Sequence, residues 1–271
     1  MIEDGESAPG SGLLKDYQDP GTPPGTLSPP EGESGPSRVI VASYAADAID
    51  VRDLADPAEL DSLRGDGRSH WVHVIGLADV ALVEHLGKVF ELHPLALEDV
   101  LTLGQRPKAE EFDDTLFCIV QHLVYGKDGL EKTQVSLFLG ANFVLTFQPC
   151  GSDLFAPVRE RLVRGRARLR QKGAGYLLYA LLDLVVDAAF PALEAMGDRL
   201  DTIEEGILDK PDQDDIEQLQ SVRRELLVLR QVLWPQREVM GRLAREEHEL
   251  MPDDLRIYFR DCYDHAVQAL E

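Results

Sequence analysis

The stretch GYLLYALLDLVVDAAFPALEAM, residues 175 to 196, is apolar over a length that could cross a bilayer, so it has to be buried somewhere. It also carries Asp183, Asp187, Pro191 and Glu194. Each carboxylate near a bilayer centre would cost roughly 2.5 to 3.5 kcal/mol on the insertion scale, so the expectation is a buried helix of a soluble domain and no transmembrane span. Asp183 and Asp187 stand at i and i+4 on that helix, and a buried carboxylate needs a cation, a hydrogen bond or a proton. For Asp183, an arginine partner and a metal ion are both open on these grounds.

The helix is expected to run on to about residue 208, with Leu193, Met196, Leu200, Ile203 and Ile207 at the alternating three-four spacing of a coiled-coil seam. After Pro211 the spacing resumes through Ile216, Leu219, Val222, Leu226, Leu229 and Leu233, and the short link predicts a long antiparallel helical hairpin. Its tip is acidic, from Asp198 through Glu217, which suits either a solvated tip or a loose cation-attracting surface. Pro235 is expected to break or kink the chain before a further helix at about 237 to 249.

Charge narrows the partners. The chain has 49 acidic against 27 basic side chains, a formal net charge of -22, which argues against nucleic acid as the main partner and for cations. A basic run from Arg159 to Lys172 lies on a helix expected over residues 153 to 172, and we read it as a solvated face or a counterweight to nearby acids. Three scattered cysteines fit a reducing compartment and make neither a disulfide framework nor a cysteine-based zinc site.

Residues 1–37 are dense in Gly, Pro, Ser and Glu and are expected to form a disordered tail with no signal peptide, dispensable for the fold. From Arg38 the text turns β-branched: strands are expected at RVIVASY, at WVHVIG and at 115–126, 132–140 and 142–148, the last three as an antiparallel meander. Short helices are expected at DPAELDSLRG, with Asp56 as N-cap and Pro57 at its start, at 78–91 and at HPLALEDVLT. The fold class is therefore α+β, an α/β/α layered domain with a mixed, largely antiparallel sheet over 38–174. It is followed by the hairpin and a connecting helix over 175–250, and by the start of a C-terminal stalk helix over 251–271.

That last helix places Leu255, Phe259, Cys262, Ala266 and Leu270 on one face behind Pro252, Asp253 and Asp254, and no C-terminal stop signal follows. Asp261 and His265 stand at i and i+4, a spacing that serves one divalent cation or an ordinary surface ion pair. Glu98 and Asp99 are adjacent on a short helix, so their side chains diverge by about 100° and would serve two partners. There is no HExxH, GxSxG or P-loop pattern, and the chain is read as not an enzyme.

Eight stretches, in order, carry a family resemblance: WVHVIGL (71–77), FELHPLALEDVL (90–101), QRPKAEEFDD (105–114), QVSLFL (134–139), PVRERL (157–162), YLLYALLDLVVD (176–187), LWPQREVM (233–240) and YFRDCYDH (258–265). From about Trp71 to Glu271 the chain resembles the cytoplasmic part of the CorA magnesium and cobalt transport family. The resemblance implies a funnel-shaped homopentamer in the cell inner membrane, this part being cytoplasmic, whose last helix would continue into a pore helix ending in a Gly-Met-Asn motif. The sequence in hand ends before that region and so departs from the family there.

The resemblance further implies regulatory divalent ions between neighbouring subunits. Asp99 of one subunit would face Asp261 of the next across a hydrated ion, and Glu98, Asp183 and His265 would form a nearby second site with Asp261 shared. Asp187 is an outer-shell candidate. The ion implied is Mg²⁺, with Co²⁺ as a second, and an imidazole ligand adds affinity for Ni²⁺ or Zn²⁺. The implied role is a cation-sensing and gating domain; a zinc-transport branch of the same family and a metal-independent oligomerisation scaffold stand as alternatives.

Overall fold

The computed structural model describes residues 21–63, 66–127, 129–164, 168–209 and 213–271. Among these, seven strands form one sheet: β1 (Arg38–Tyr44), β2 (Ile49–Asp53), β3 (Ser69–Ile75), β4 (Lys108–Phe112), β5 (Thr115–Gly126), β6 (Gly129–Leu139) and β7 (Phe143–Gln148), in the order β2-β1-β3-β7-β6-β5-β4. Only β3 and β7 pair in parallel; every other neighbouring pair is antiparallel. The mixed, largely antiparallel sheet is thus as expected.

Strands β2 and β4 are additions to the sequence reading. Both are polar (IDVRD and KAEEF) and both are edges of the sheet, where charged side chains reach water and block further pairing. A hydrophobic pattern therefore does not mark them.

The sheet's central strands are buried on both faces, and their period-two alternation sorts side chains into two cores. Phe117 and Ile119 join one core beneath α1 (Val80–Val89) and α2 (Pro94–Leu101). Cys118 and Val120 face the other, filled by α3 (Ala156–Arg164), α5 (Gly173–Asp187), the end of α7 (Gln213–Arg245) and α8 (Arg256–Leu270). A short α4 (Arg168–Gln171) links α3 to α5, and residues 165–167 of the helix expected over 153–172 lie outside the described residues.

The apolar stretch that opened the sequence reading is α5 and the start of α6 (Ala189–Asp209). Together they are long and apolar enough to cross a membrane, yet 61% of the apolar window is buried inside the fold. Where one helix was expected, two meet at Ala188: Pro191 offers no N–H to the Asp187 carbonyl four residues back and its ring crowds that carbonyl.

Pro235 behaves in the opposite way and corrects the expected break, because α7 runs through it to Arg245. Val232, Leu233, Gln236, Val239 and Met240 around it are all buried. That tertiary burial outweighs a helix penalty of about 3 kcal/mol.

Helices α6 and α7 pack together and onto Leu123 of β5, forming a third core with Met196, Ile203, Val222 and Leu229. The expected seam is wider than α6 covers: Ile216, Leu219 and Leu226 are exposed beside the buried Val222, Leu229 and Leu233. A part-buried cross-link, Arg199 Nη1 to both Tyr125 Oη (2.7 Å) and Glu225 Oε1 (2.9 Å), ties both helices to the β5–β6 hairpin.

The expected disordered tail also needs correction. Residues 1–20 lie outside the described residues, but 21–37 form a strap along the domain. The Glu33 carboxylate accepts from the Leu77 N–H (2.7 Å) and the Cys150 N–H (2.9 Å), joining the ends of β3 and β7. Ser37 Oγ donates to Gly76 O (2.8 Å). Gly25 lies so close to α2, in the left-handed region at φ 81°, that a Cβ there would come within 3.1 Å of Pro94 Cβ. Backbone groups, not apolar periodicity, hold the strap, so composition hides it.

Glu33→Ala strands two backbone donors and is expected to cost about 1 to 3 kcal/mol, read as a lower denaturant midpoint. An unchanged midpoint would place the strap outside the cooperative unit.

Candidate metal centre

Helix α5 is buried at every position except Gly173, Asp183, Leu184 and Asp187. Its two carboxylates therefore emerge together at its C-terminal end, on the side that α8 covers. Helix α8 presents Phe259, Cys262, Ala266 and Ala269 inward, and that register brings His265 over α5. His265 Nδ1 lies 2.8 Å from Asp187 Oδ1, and Phe190 stands edge-on to the imidazole with centroids 6.2 Å apart. One ligand atom each from Asp183, Asp187 and His265 lies within 4.8 Å of the others, and the His265 and Asp187 side chains are 36% and 47% exposed.

The charges respond to one another. Burial, then the charge of Asp187, raises the Asp183 pKa above its ordinary 3.8; Asp261 adds to this while His265 and Arg161 oppose it. Burial of the His265 ring pulls its pKa down, but the hydrogen bond and charge of Asp187, then the charges of Asp261 and Asp183, outweigh that and leave it above 6.5. Asp261 is exposed one turn earlier on α8, near enough for its charge to bear on Asp183, His265 and Tyr179. The arrangement is an under-compensated acidic site with one imidazole, half open to water. Its mixed oxygen and nitrogen donors fit a hydrated divalent cation.

Within one chain the structure brings Asp183 and His265 together, adds Asp187 as a direct partner of the imidazole, and sets Asp261 beside them. Glu98 and Asp99 are elsewhere, on α2, and no hydrogen bond or ion pair joins them to this cluster among the described residues. Helix α2 begins with His93 as N-cap and Pro94 in its first turn. Its adjacent carboxylates diverge: Glu98 Oε2 accepts the Gly25 N–H of the strap at 2.6 Å, while Asp99 faces the β4 end of the sheet.

Asp99 is held on both oxygens. Gln105 Nε2 donates to Oδ1 at 2.6 Å, and Lys108 Nζ to Oδ2 at 2.7 Å. Gln105 is itself fixed by Gln134, whose Oε1 accepts the Gln105 N–H at 2.9 Å and whose amide also reaches Asp99 O. Sequence reasoning did not single out Gln105, Lys108 or Gln134 as partners. Their contacts join α2, the loop after it, β4 and β6, and no local spacing signals that.

A family profile described as CorA-like Mg²⁺ transporter protein matches residues 66–271. Over 253 residues the chain is 36% identical to the cobalt/magnesium transport protein CorA of Thermotoga maritima, an alignment taking in 93% of this chain and 72% of that protein. The soluble domain of CorA from Methanocaldococcus jannaschii superposes with a TM-score of 0.69 at 18% identity, covering 85% of this chain and 89% of that one. The complete CorA magnesium transporter from the same organism gives 0.73 at 19% identity, covering 86% of this chain and 70% of that one. At such identity these two structures speak for the fold alone.

Because the His265 pKa is raised on folding, its contribution to stability is full below 6.5 and is lost as pH rises through the folded value. Asp187→Asn should lower the His265 midpoint in an imidazole NMR titration and flatten that part of the stability profile. An unmoved midpoint would remove Asp187 as the partner. A cation at this site must displace the imidazole proton, so divalent-ion affinity should rise with pH through the same midpoint.

Proposed function

The chain belongs to the family of CorA-like Mg²⁺ transporters, and from that premise we propose that it is the cation-sensing and gating domain of a divalent-cation transport protein. The observation that carries the reading is the convergence of Asp183, Asp187 and His265, with Asp261 beside them, on helices of a chain with net charge -22. Acids gathered on two packed helices repel one another unless a cation stands between them.

In this reading the chain assembles as a homopentamer in the inner membrane, with this part on the cytoplasmic side. Asp99 of one subunit then faces Asp261 of the next, while Glu98, Asp183, Asp261 and His265 make up the second site. Compensated carboxylates hold neighbouring subunits in a closed arrangement; uncompensated ones push them apart and open the pore. Mg²⁺, which keeps several waters and binds through one or two carboxylates, suits a weak and exchangeable site. Co²⁺ is the second ion. The imidazole of His265 favours a zinc-transport reading on the same scaffold, which His265→Gln would test by lowering Zn²⁺ binding while sparing Mg²⁺. The homologous proteins are transporters, and catalysis has no part in this reading.

Saturating Mg²⁺ should stabilise the assembled protein by about 1 to 3 kcal/mol through mass action, seen as a higher melting temperature and slower proteolysis at high protein concentration. Asp261→Ala should blunt that response. Asp261→Lys, which supplies a tethered ammonium, should give protection without added metal. Wild-type Mg²⁺ dependence in both variants would remove Asp261 from the site.

A further inference from the structure

We propose that Lys108 is a built-in competitor for the Asp99 carboxylate, a tethered cation that a divalent ion must displace to bind there. The inference rests on the reading of Asp99 as a cation ligand and goes beyond it by naming what holds that ligand when no ion does.

The geometry separates the two oxygens of Asp99. Oδ1 takes the Gln105 amide at 2.6 Å, and Gln105 is buried and held through its own N–H by the buried Gln134. That oxygen is held by a neutral donor. Oδ2 takes the Lys108 ammonium at 2.7 Å, on a side chain 26% exposed at the end of a flexible stem. An incoming cation therefore competes with Lys108 and leaves Gln105 in place to orient the carboxylate.

Lys108 has somewhere to go. Its ammonium already touches Glu110 Oε2 at 2.6 Å, and Glu110 is 43% exposed, so swinging outward keeps one ion pair while releasing Asp99. The exchange also sets specificity. A monovalent ion brings no more charge to Asp99 than the ammonium it expels, whereas a divalent ion brings twice as much. Lys108 thus biases Asp99 against K⁺ and Na⁺ and lowers its affinity for Mg²⁺, keeping the site responsive to an abundant ion.

The test is lysine acetylation read by mass spectrometry on the assembled wild-type protein, with Lys88, 71% exposed, as internal reference. Adding Mg²⁺ should raise Lys108 labelling several-fold, K⁺ at equal ionic strength should not, and Lys88 should stay constant. Asp99→Asn should label at the higher level without metal. Lys108→Met should move the Mg²⁺ midpoint of the thermal shift several-fold lower and weaken discrimination against K⁺, while Lys108→Arg should stay near wild type. If Mg²⁺ stabilises the wild type and not Asp99→Asn, yet Lys108 labelling is unchanged or falls, Lys108 is no competitor and the sensing reading survives. If Mg²⁺ moves neither melting nor labelling, the sensing reading falls and this inference with it. Should Lys108→Met fail to fold, the wild-type labelling decides alone.

Discussion

Burial of α5 between the sheet and α8 governs where the charged groups of these two helices can go. Eleven of its residues are buried, and a fully buried Leu or Val side chain contributes about 1.5 to 3 kcal/mol. That apolar surface fixes the rotation of α5 about its own axis, and so fixes where Asp183 and Asp187 emerge. Helix α8 lies on the same core through Phe259, Cys262 and Ala266, so its rotation is fixed too, and His265 meets Asp187 as a consequence of packing. The acidic cluster is thus held in place by apolar burial.

The fold offsets part of its excess of acid locally, pairing carboxylates both exposed and partly buried with side-chain cations. Arg199 meets Glu225, Lys172 meets Asp254, and Arg242 meets Glu111 and Glu246. Lys108 does the same for Asp99. The α5–α8 cluster departs from this pattern: among the described residues its carboxylates form an ion pair with an imidazole, which carries charge only when protonated. In the proposed function, this site compensated by a titrating group is where an external cation acts.

Much of the fold was legible because its signals are local. The strands β1, β3, β5, β6 and β7, the short helices and the long helical hairpin follow from alternation, caps and three-four spacing. Pro191 and Pro235 show the limit, since the same residue type ends one helix and sits inside another according to what packs around it. The polar edge strands β2 and β4 and the strap at 21–37 escaped because backbone hydrogen bonds hold them. At the site, the i, i+4 pairs Asp183–Asp187 and Asp261–His265 were readable, but the imidazole's hydrogen-bond partner in this chain is Asp187, across the helix contact. The partners of Glu98 and Asp99, Gly25 and Lys108, lie on other elements, and spacing along one helix carries no trace of them.

The central claim is that the acids on α5 and α8 form the cation site that controls this domain. The most direct measurement is anomalous diffraction from crystals of the assembled protein soaked in Co²⁺. A cobalt peak within coordination distance, or one water away, of Asp183, Asp261 and His265, with Asp99 of a neighbouring chain close by, is the result this account predicts. Cobalt confined to the acidic tip of the α6–α7 hairpin, with the Asp187–His265 pair undisturbed, would contradict it.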